Sequence, residues 1–132
     1  MTPTQLDHLK RIDAHLERLL DIASKRTPGE WETDQGAKRP AVFNTEGLFI
    51  DTNMRPYDAI YTASCAGNAE AGWRATRVAI AALSKIAEER EPVEHGDCGN
   101  GPYVSMFRTS AARFAEQELE SILAAFPLET LK

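Results

Sequence analysis

The stretch RTPGEW, residues 26–31, decides how the chain leaves its first helix. Pro28 disfavours helical geometry at Thr27, and Gly29 allows the backbone to turn. Trp31 then starts the next segment close to the helix end, where its large ring needs apolar cover. The stretch therefore predicts a helix that stops here and a strand that Trp31 anchors back across the apolar side of that helix. A core role for Trp31 is the interpretation we favour, and a ligand-stacking role is the alternative.

The segment before this turn predicts a long amphipathic helix over residues 3–26. Thr2 and Gln5 supply the two side chains of a capping box, and Pro3 suits the first helical turn. Apolar residues recur three and four positions apart along it, at Leu9, Ile12, Leu16, Leu19 and Ala23. A helix of about 24 residues is roughly 36 Å long. One small molecule would hardly cover that whole stripe, so we expect a helical partner, and a homodimer through the N-terminal helix is one form of it.

The next segment predicts a small antiparallel sheet within residues 31–62. AVFNTEGLFIDT, residues 41–52, contains two short β-prone runs around a turn with Gly47, which predicts a hairpin over 41–51. A strand around Trp31 joins it. The following AIYTASCAG fits either a fourth short strand or an irregular entry to the next helix, and both interpretations stay open.

A second helix is predicted over residues 69–90, with Asn68 as its N-cap and Pro92 beyond its end. A loop rich in Gly, Asp and Asn is predicted over 91–108. Loops of this length without secondary structure are uncommon in compact domains, and many of them are functional.

A third helix is predicted over residues 110–126, capped by Thr109 or Ser110. The resulting order is one helix, three strands and two helices. This order predicts an α+β fold in which the helices pack on one side of a small antiparallel sheet, within a single domain that spans residues 1–132.

Composition narrows the class of protein. Apolar residues make up 42% of the chain and charged residues 27%, and the net charge is −5. The chain has no clustered basic patch, so we expect no direct nucleic-acid binding. No apolar run approaches the length of a membrane span, and the N-terminus lacks a signal-peptide core. We therefore expect a cytoplasmic protein of a bacterial host with no membrane contact. Cys65 and Cys98 form no CxxC pair and predict two reduced thiols.

The segment EHGDC, residues 94–98, is the densest group of potential metal ligands. His95, Asp97 and Cys98 lie within four residues, but a metal ion would still lack ligands. No GxSxG, HExxH or GxGxxG motif occurs in the chain. We expect a protein that is not an enzyme and has no cofactor or metal, with a metal-dependent enzyme that uses the 94–98 loop as an alternative.

Arginines and aromatic residues cluster around the start of the second helix. Arginine beside aromatic rings is typical of a surface that binds an anionic small molecule, a nucleotide or a protein loop. The simpler interpretation is ordinary ion pairs with Glu70 on the helix surface. The candidate ligand- or partner-binding residues are Arg55, Tyr57, Tyr61, Trp73, Arg74 and Arg77.

Three segments together resemble the Ead-like proteins of phages and prophages: RTPGEW, the hairpin return EGLFI, and NAEAGWRATRVAIAALSKIAEE. The matching positions within residues 15–90 are Thr27, Pro28, Gly29 and Trp31, followed by Asn68, Ala69, Glu70, Arg74, Thr76 and Leu83. The chain departs from the family at Trp73, where an aliphatic residue is usual, and in its added segment 92–126. The family has no established reaction, so the resemblance implies origin rather than catalysis.

Our main functional hypothesis is a small phage- or prophage-encoded accessory protein that acts by binding a host or phage protein. Inhibition of a host-defence complex of the nuclease or CRISPR type is the use we expect. The alternative is a small-ligand binder, such as a nucleotide-signal sponge, that uses the arginines and tyrosines named above.

Overall fold

A computed structural model of the chain describes residues 1–34, 36–96 and 103–131, and it has an α+β fold. As predicted, a long N-terminal helix is followed by a small three-stranded antiparallel sheet and two further helices. The helices are α1 (Pro3–Ser24), α2 (Pro56–Ala87) and α3 (Ser110–Ala125), followed by a short 3-10 turn at Leu128–Thr130. The strands are β1 (Trp31–Thr33), β2 (Val42–Asn44), β3 (Phe49–Asp51), β4 (Arg90–His95) and β5 (Tyr103–Arg108).

The chain divides into two compact units. One contains Met1–His15 together with Thr76–Lys132, and the other contains Leu16–Ala75. The single domain expected from the sequence stays a prediction. No helix among the described residues is long and apolar enough to cross a membrane.

In the unit Leu16–Ala75, the three strands form one sheet in the order β1-β2-β3. Trp31 lies opposite Asn44 in the β1–β2 pair, and Phe43 lies opposite Phe49 in the β2–β3 pair. Gly47 takes a φ of +82° in the turn between β2 and β3, as its position in the predicted hairpin requires. The predicted hairpin and the strand at Trp31 are confirmed.

The turn RTPGEW is held together by its own hydrogen bonds. The Trp31 indole Nε1 donates to the carbonyl oxygen of Thr27 at 2.9 Å, and the Arg26 Nη1 donates to the carbonyls of Thr27 at 2.9 Å and Gly29 at 3.0 Å. Gly29 has a φ of +89°, and a Cβ there would lie 3.0 Å from the Thr45 hydroxyl. The backbone conformation therefore favours glycine at position 29, and a side chain there would also crowd the Thr45 hydroxyl.

The sheet is shorter than predicted, and a further helical stretch precedes the predicted second helix. The sheet ends at Asp51 instead of residue 62, and α2 begins at Pro56, so AIYTASC lies in a helix and not in a strand. Proline suits a first helical position because its φ is fixed and its missing N–H is not needed there. α2 joins two helical stretches across a kink at Ala66 and Gly67, where the backbone is not helical and Gly67 has a φ of +81°. The second stretch begins after this kink, close to the helix start predicted near Asn68.

The predicted loop 91–108 is also wrong, because its two ends pair as strands. β4 and β5 form an antiparallel hairpin, with a register that runs from Arg90 opposite Arg108 to His95 opposite Tyr103. Because the centre of the segment is rich in glycine, the predicted loop was extended over the ends of the segment as well. Those ends contain β-prone residues, such as VSMF. The prediction that residues 97–102 form a loop lies outside the described residues.

In the other unit, buried side chains come from α1, α2 and α3. They are Leu9, Ile12, Ile80, Ala112, Ala115 and Leu119. Thr109 is the N-cap of α3, and its hydroxyl accepts from the backbone N–H of Ala112 at 3.0 Å. Of the two predicted caps, Thr109 is therefore the one used.

The apolar stripe of α1 is covered within the chain over its central turns. Leu9, Ile12 and Leu16 are buried, whereas Leu6 and Ile22 near the two helix ends are exposed. The chain's own side chains therefore bury the central part of the stripe but not all of it, and a helical partner stays a prediction.

Candidate binding cleft

A cleft of about 490 Å³ opens in the unit Leu16–Ala75, and its lining is mostly apolar. This volume falls within the range of natural ligand pockets. Small and aliphatic side chains line part of it, namely Leu19, Ile22, Ala23, Ala66 and Ala69. Aromatic, polar and charged side chains line the rest, namely Arg26, Trp31, Tyr61, Thr62, Cys65, Glu70 and Trp73. We refer to this site as the Trp31 cleft.

The helix kink and small side chains leave the space that the cleft occupies. The backbone departs from helical geometry at Ala66 and Gly67, and Ala66 lines the cleft. One turn further on, Ala69 presents only a methyl group. Asn68 follows the kink and donates its Nδ2 to the carbonyl of Ser64 at 2.7 Å, which satisfies one backbone acceptor that the interrupted helix leaves open.

The charged groups of the cleft form an ion pair with each other. Nε of Arg26 lies 2.5 Å from Oε1 of Glu70, and both side chains are largely shielded from solvent. The Arg26 guanidinium also lies 5.4 Å from the centroid of the Trp31 ring, a cation–π distance. The same guanidinium therefore joins the turn RTPGEW, the indole and α2.

Tyr61 and Cys65 form a side-chain pair one helical turn apart on α2. The hydrogen bond between them is the largest cause that raises the pKa of Tyr61 above its ordinary value of 10.0. The next cause is the negative charge of the thiol when it ionises. Tyr61 therefore remains a neutral phenol at physiological pH. Tyr61 is 73% exposed, so its ring offers a flat, uncharged surface where it lines the cleft.

Only some of the predicted binding residues lie at this cleft. Tyr61 and Trp73 line it. Arg74 is exposed, and its Nη2 lies 3.7 Å from Oε2 of Glu70, which is the predicted helix-surface ion pair.

The remaining predicted residues lie elsewhere. Arg55 and Tyr57 are exposed and do not line the cleft. Arg77 belongs to the other compact unit, where its Nε donates to Asp13 Oδ1 at 2.8 Å and its Nη2 lies 3.3 Å from Oδ2. Asp13 on α1 thus offers a two-point contact to the Arg77 guanidinium.

Sequence reasoning missed Arg26 as a site residue and favoured a core role for Trp31 over a ligand-stacking role. Trp31 is half-buried and lines the cleft. The motif RTPGEW contained a signal, since an arginine and a tryptophan five positions apart flank a tight turn. The ion pair between Arg26 and Glu70 joins residues 44 positions apart, so no local sequence pattern predicts it.

The predicted metal-ligand group is only partly described. His95 ends β4, and its ring centroid lies 5.7 Å from that of Phe107. Asp97 and Cys98 lie outside the described residues. Within the described ranges, no group of three His, Cys, Asp or Glu side chains is placed to hold a metal ion.

In comparisons with known proteins, no family model, no curated protein and no solved structure matches the chain. The resemblance to Ead-like proteins stays a prediction. The binding activity that we propose therefore depends on the chemistry of the cleft.

Proposed function

We propose that this chain is a non-enzymatic binding protein whose Trp31 cleft receives an apolar, aromatic-containing segment of a partner protein. The observation that carries the proposal is the cleft itself, an apolar concavity with two tryptophans and an exposed tyrosine in its lining. Tryptophan and tyrosine contribute most to binding energy at protein interfaces, where they pack against apolar side chains of the partner.

Charge favours a protein segment over a nucleotide as the occupant. A nucleotide phosphate needs cationic donors that are available to it. Arg26 already contacts Glu70, Arg74 approaches the same carboxylate, and Arg77 is engaged by Asp13 in the other unit. An uncharged, apolar segment requires none of these ion pairs to break.

The biological context of the proposal comes from the resemblance to Ead-like proteins. We propose a phage- or prophage-encoded accessory protein that acts in a bacterial host, where it binds a host or phage protein and inhibits a defence complex. A homodimer through the N-terminal helix is not part of this proposal, because the chain itself buries the central stripe of α1.

Two tyrosines on α2 provide a matched test. Tyr61 lines the cleft and is 73% exposed, whereas Tyr57, one turn earlier, does not line it and is 86% exposed. Tagged wild-type protein and the variants Tyr61→Ala and Tyr57→Ala are expressed in a bacterial host, and the co-purifying proteins are identified and their affinities measured. We expect Tyr61→Ala to weaken partner binding by roughly tenfold or more, as for an interface hot spot, and Tyr57→Ala to leave it unchanged.

Equal retention of the partner by both variants would contradict the proposed site. A thermal-shift screen with cyclic and linear nucleotides tests the alternative. Stabilisation by a nucleotide that Tyr61→Ala abolishes, with no protein partner captured, would replace the protein-binding function with that of a small-ligand binder.

A further inference from the structure

The hydrogen bonds of the β4–β5 hairpin have a fixed phase: they determine which residues direct their backbone groups toward the other strand and which direct them outward. The N–H of Thr109 donates to the carbonyl of Glu89 at 3.5 Å, and this pair continues the register of the two strands. In an antiparallel ladder, hydrogen-bonded and non-hydrogen-bonded pairs alternate. Pairs of odd-numbered residues are therefore hydrogen-bonded, whereas Pro92 and Met106, which lie opposite each other, direct their backbone groups outward.

This phase closes one edge of the hairpin and leaves the other open. On the β4 edge, Pro92 has no N–H at an outward-facing position, and proline at such a position blocks strand addition. On the β5 edge, the N–H and C=O groups of Val104 and Met106 point outward. Within the described ranges, the sheet has only these two strands, and the two β5 side chains are 58% and 62% exposed. The open edge is a template for another strand.

We propose that the β5 edge pairs with the same edge of a second copy of this chain, antiparallel, about a two-fold axis through Ser105. This inference goes beyond the proposed function and does not rest on the cleft. A two-fold axis perpendicular to the sheet places Val104 of one copy opposite Met106 of the other. Both residues face outward, so each such pair exchanges two backbone hydrogen bonds. The product is a four-stranded sheet in the order β4-β5-β5-β4.

The charges of β5 are compatible with a second copy of the chain as the occupant. Residues 103–107 carry no charge, so the paired stretch brings no like charges together. Arg108 is the single charged residue of β5, and its guanidinium is already paired with Glu116. In this register the two Arg108 residues are six positions apart along the strands, or roughly 20 Å, which exceeds the screening length of about 8–10 Å at physiological salt.

Side chains match across the same pairing. On one face, Val104 of each copy meets Met106 of the other, and apolar cross-strand pairs stabilise a sheet. A single strand edge buries less surface than the roughly 1,200–2,000 Å² of a stable interface. We therefore expect a weak, concentration-dependent dimer with a dissociation constant in the micromolar range or above.

Proline substitution at two facing positions tests which edge associates. Val104 and Glu94 lie directly opposite each other, and both N–H groups point outward. Val104→Pro removes a donor from the β5 edge, and the matched control Glu94→Pro removes one from the β4 edge, while neither breaks the ladder within the hairpin. In sedimentation velocity over about 5–500 µM, we expect wild type and Glu94→Pro to dimerise and Val104→Pro to dimerise at least tenfold more weakly.

Two charged variants test the register without proline. Val104→Lys and Met106→Glu each place like charges close together in a homodimer, so each alone should stay monomeric over the same concentrations. Their mixture brings lysine opposite glutamate and should dimerise with an affinity within about threefold of wild type. A wild-type protein that is monomeric throughout, a Val104→Pro protein that dimerises like wild type, or a mixture that fails to associate would overturn the proposal.

Discussion

Asn44 shows how one buried polar side chain joins two turns of this molecule. It is 1% exposed, and its amide Nδ2 donates to the carbonyl of Pro28 at 3.0 Å. Its Oδ1 accepts from the backbone N–H groups of Glu46 at 3.1 Å and Leu48 at 2.8 Å. The side chain thus holds the hairpin turn and ties it to the turn RTPGEW. A buried amide is tolerated here because these bonds satisfy it.

Substitution of Asn44 by alanine removes all three hydrogen bonds and leaves the Pro28 carbonyl without this donor. We expect Asn44→Ala to lower the free energy of unfolding by about 2–4 kcal/mol, measured by urea denaturation. The neighbouring Thr45→Ala, at an exposed position of the same turn, should change it by less than about 0.5 kcal/mol. A loss below about 1 kcal/mol for Asn44→Ala would show that the amide is not the link between the two turns.

At the scale of elements, the N-cap of α3 is a local feature with a measurable contribution. The hydroxyl of Thr109 accepts from the N–H of Ala112, whereas Ser110 is the first helical residue and is exposed. We expect Thr109→Ala to lower the free energy of unfolding by about 1 kcal/mol, and Ser110→Ala to change it by a few tenths at most. Chemical denaturation of both variants measures this difference. A larger loss of unfolding free energy for Ser110→Ala than for Thr109→Ala would contradict the prediction and show that Ser110 is the N-cap.

The elements differ in how well sequence alone predicts them. Helix starts at Pro3 and Ser110 follow from short-range capping and periodicity, and the structure places helices there. The β4–β5 hairpin was missed because its strands carry little alternation between buried and exposed residues. A strand without a buried face loses the period-two pattern by which strands are recognised.

At the scale of the whole molecule, the boundaries between the two compact units are unusual. They fall between His15 and Leu16 and between Ala75 and Thr76, in uninterrupted stretches of α1 and α2. Boundaries of independent domains normally fall in exposed linkers. Unfolding one unit alone would require each of these helices to end in mid-course, so we expect the chain to unfold in one cooperative step.

Two optical signals test this expectation, because both tryptophans, Trp31 and Trp73, belong to the same unit. Their fluorescence follows the unit Leu16–Ala75, whereas far-ultraviolet circular dichroism follows the helices of both. In urea, the two transitions should have the same midpoint, within about 0.2 M, as two-state unfolding requires. Separate midpoints would show two independent domains instead.

The sequence by itself determined the features that depend on neighbouring residues. The break at RTPGEW, the hairpin around Gly47 and the amphipathic stripe of α1 arise from backbone preferences and side-chain periodicity over a few turns. These signals predicted the α+β class and the order of its first elements.

Only the tertiary structure decided where function can lie. The Trp31 cleft depends on the ion pair between Arg26 and Glu70 and on the kink at Ala66 and Gly67. Of the candidate arginines, Arg74 pairs with Glu70 and Arg77 pairs with Asp13. The open edge of β5 likewise follows from the hydrogen-bonding pattern between β4 and β5. Such features are decided when distant segments pack, because charge pairing and burial depend on the distance between side chains in space and not on their separation along the chain.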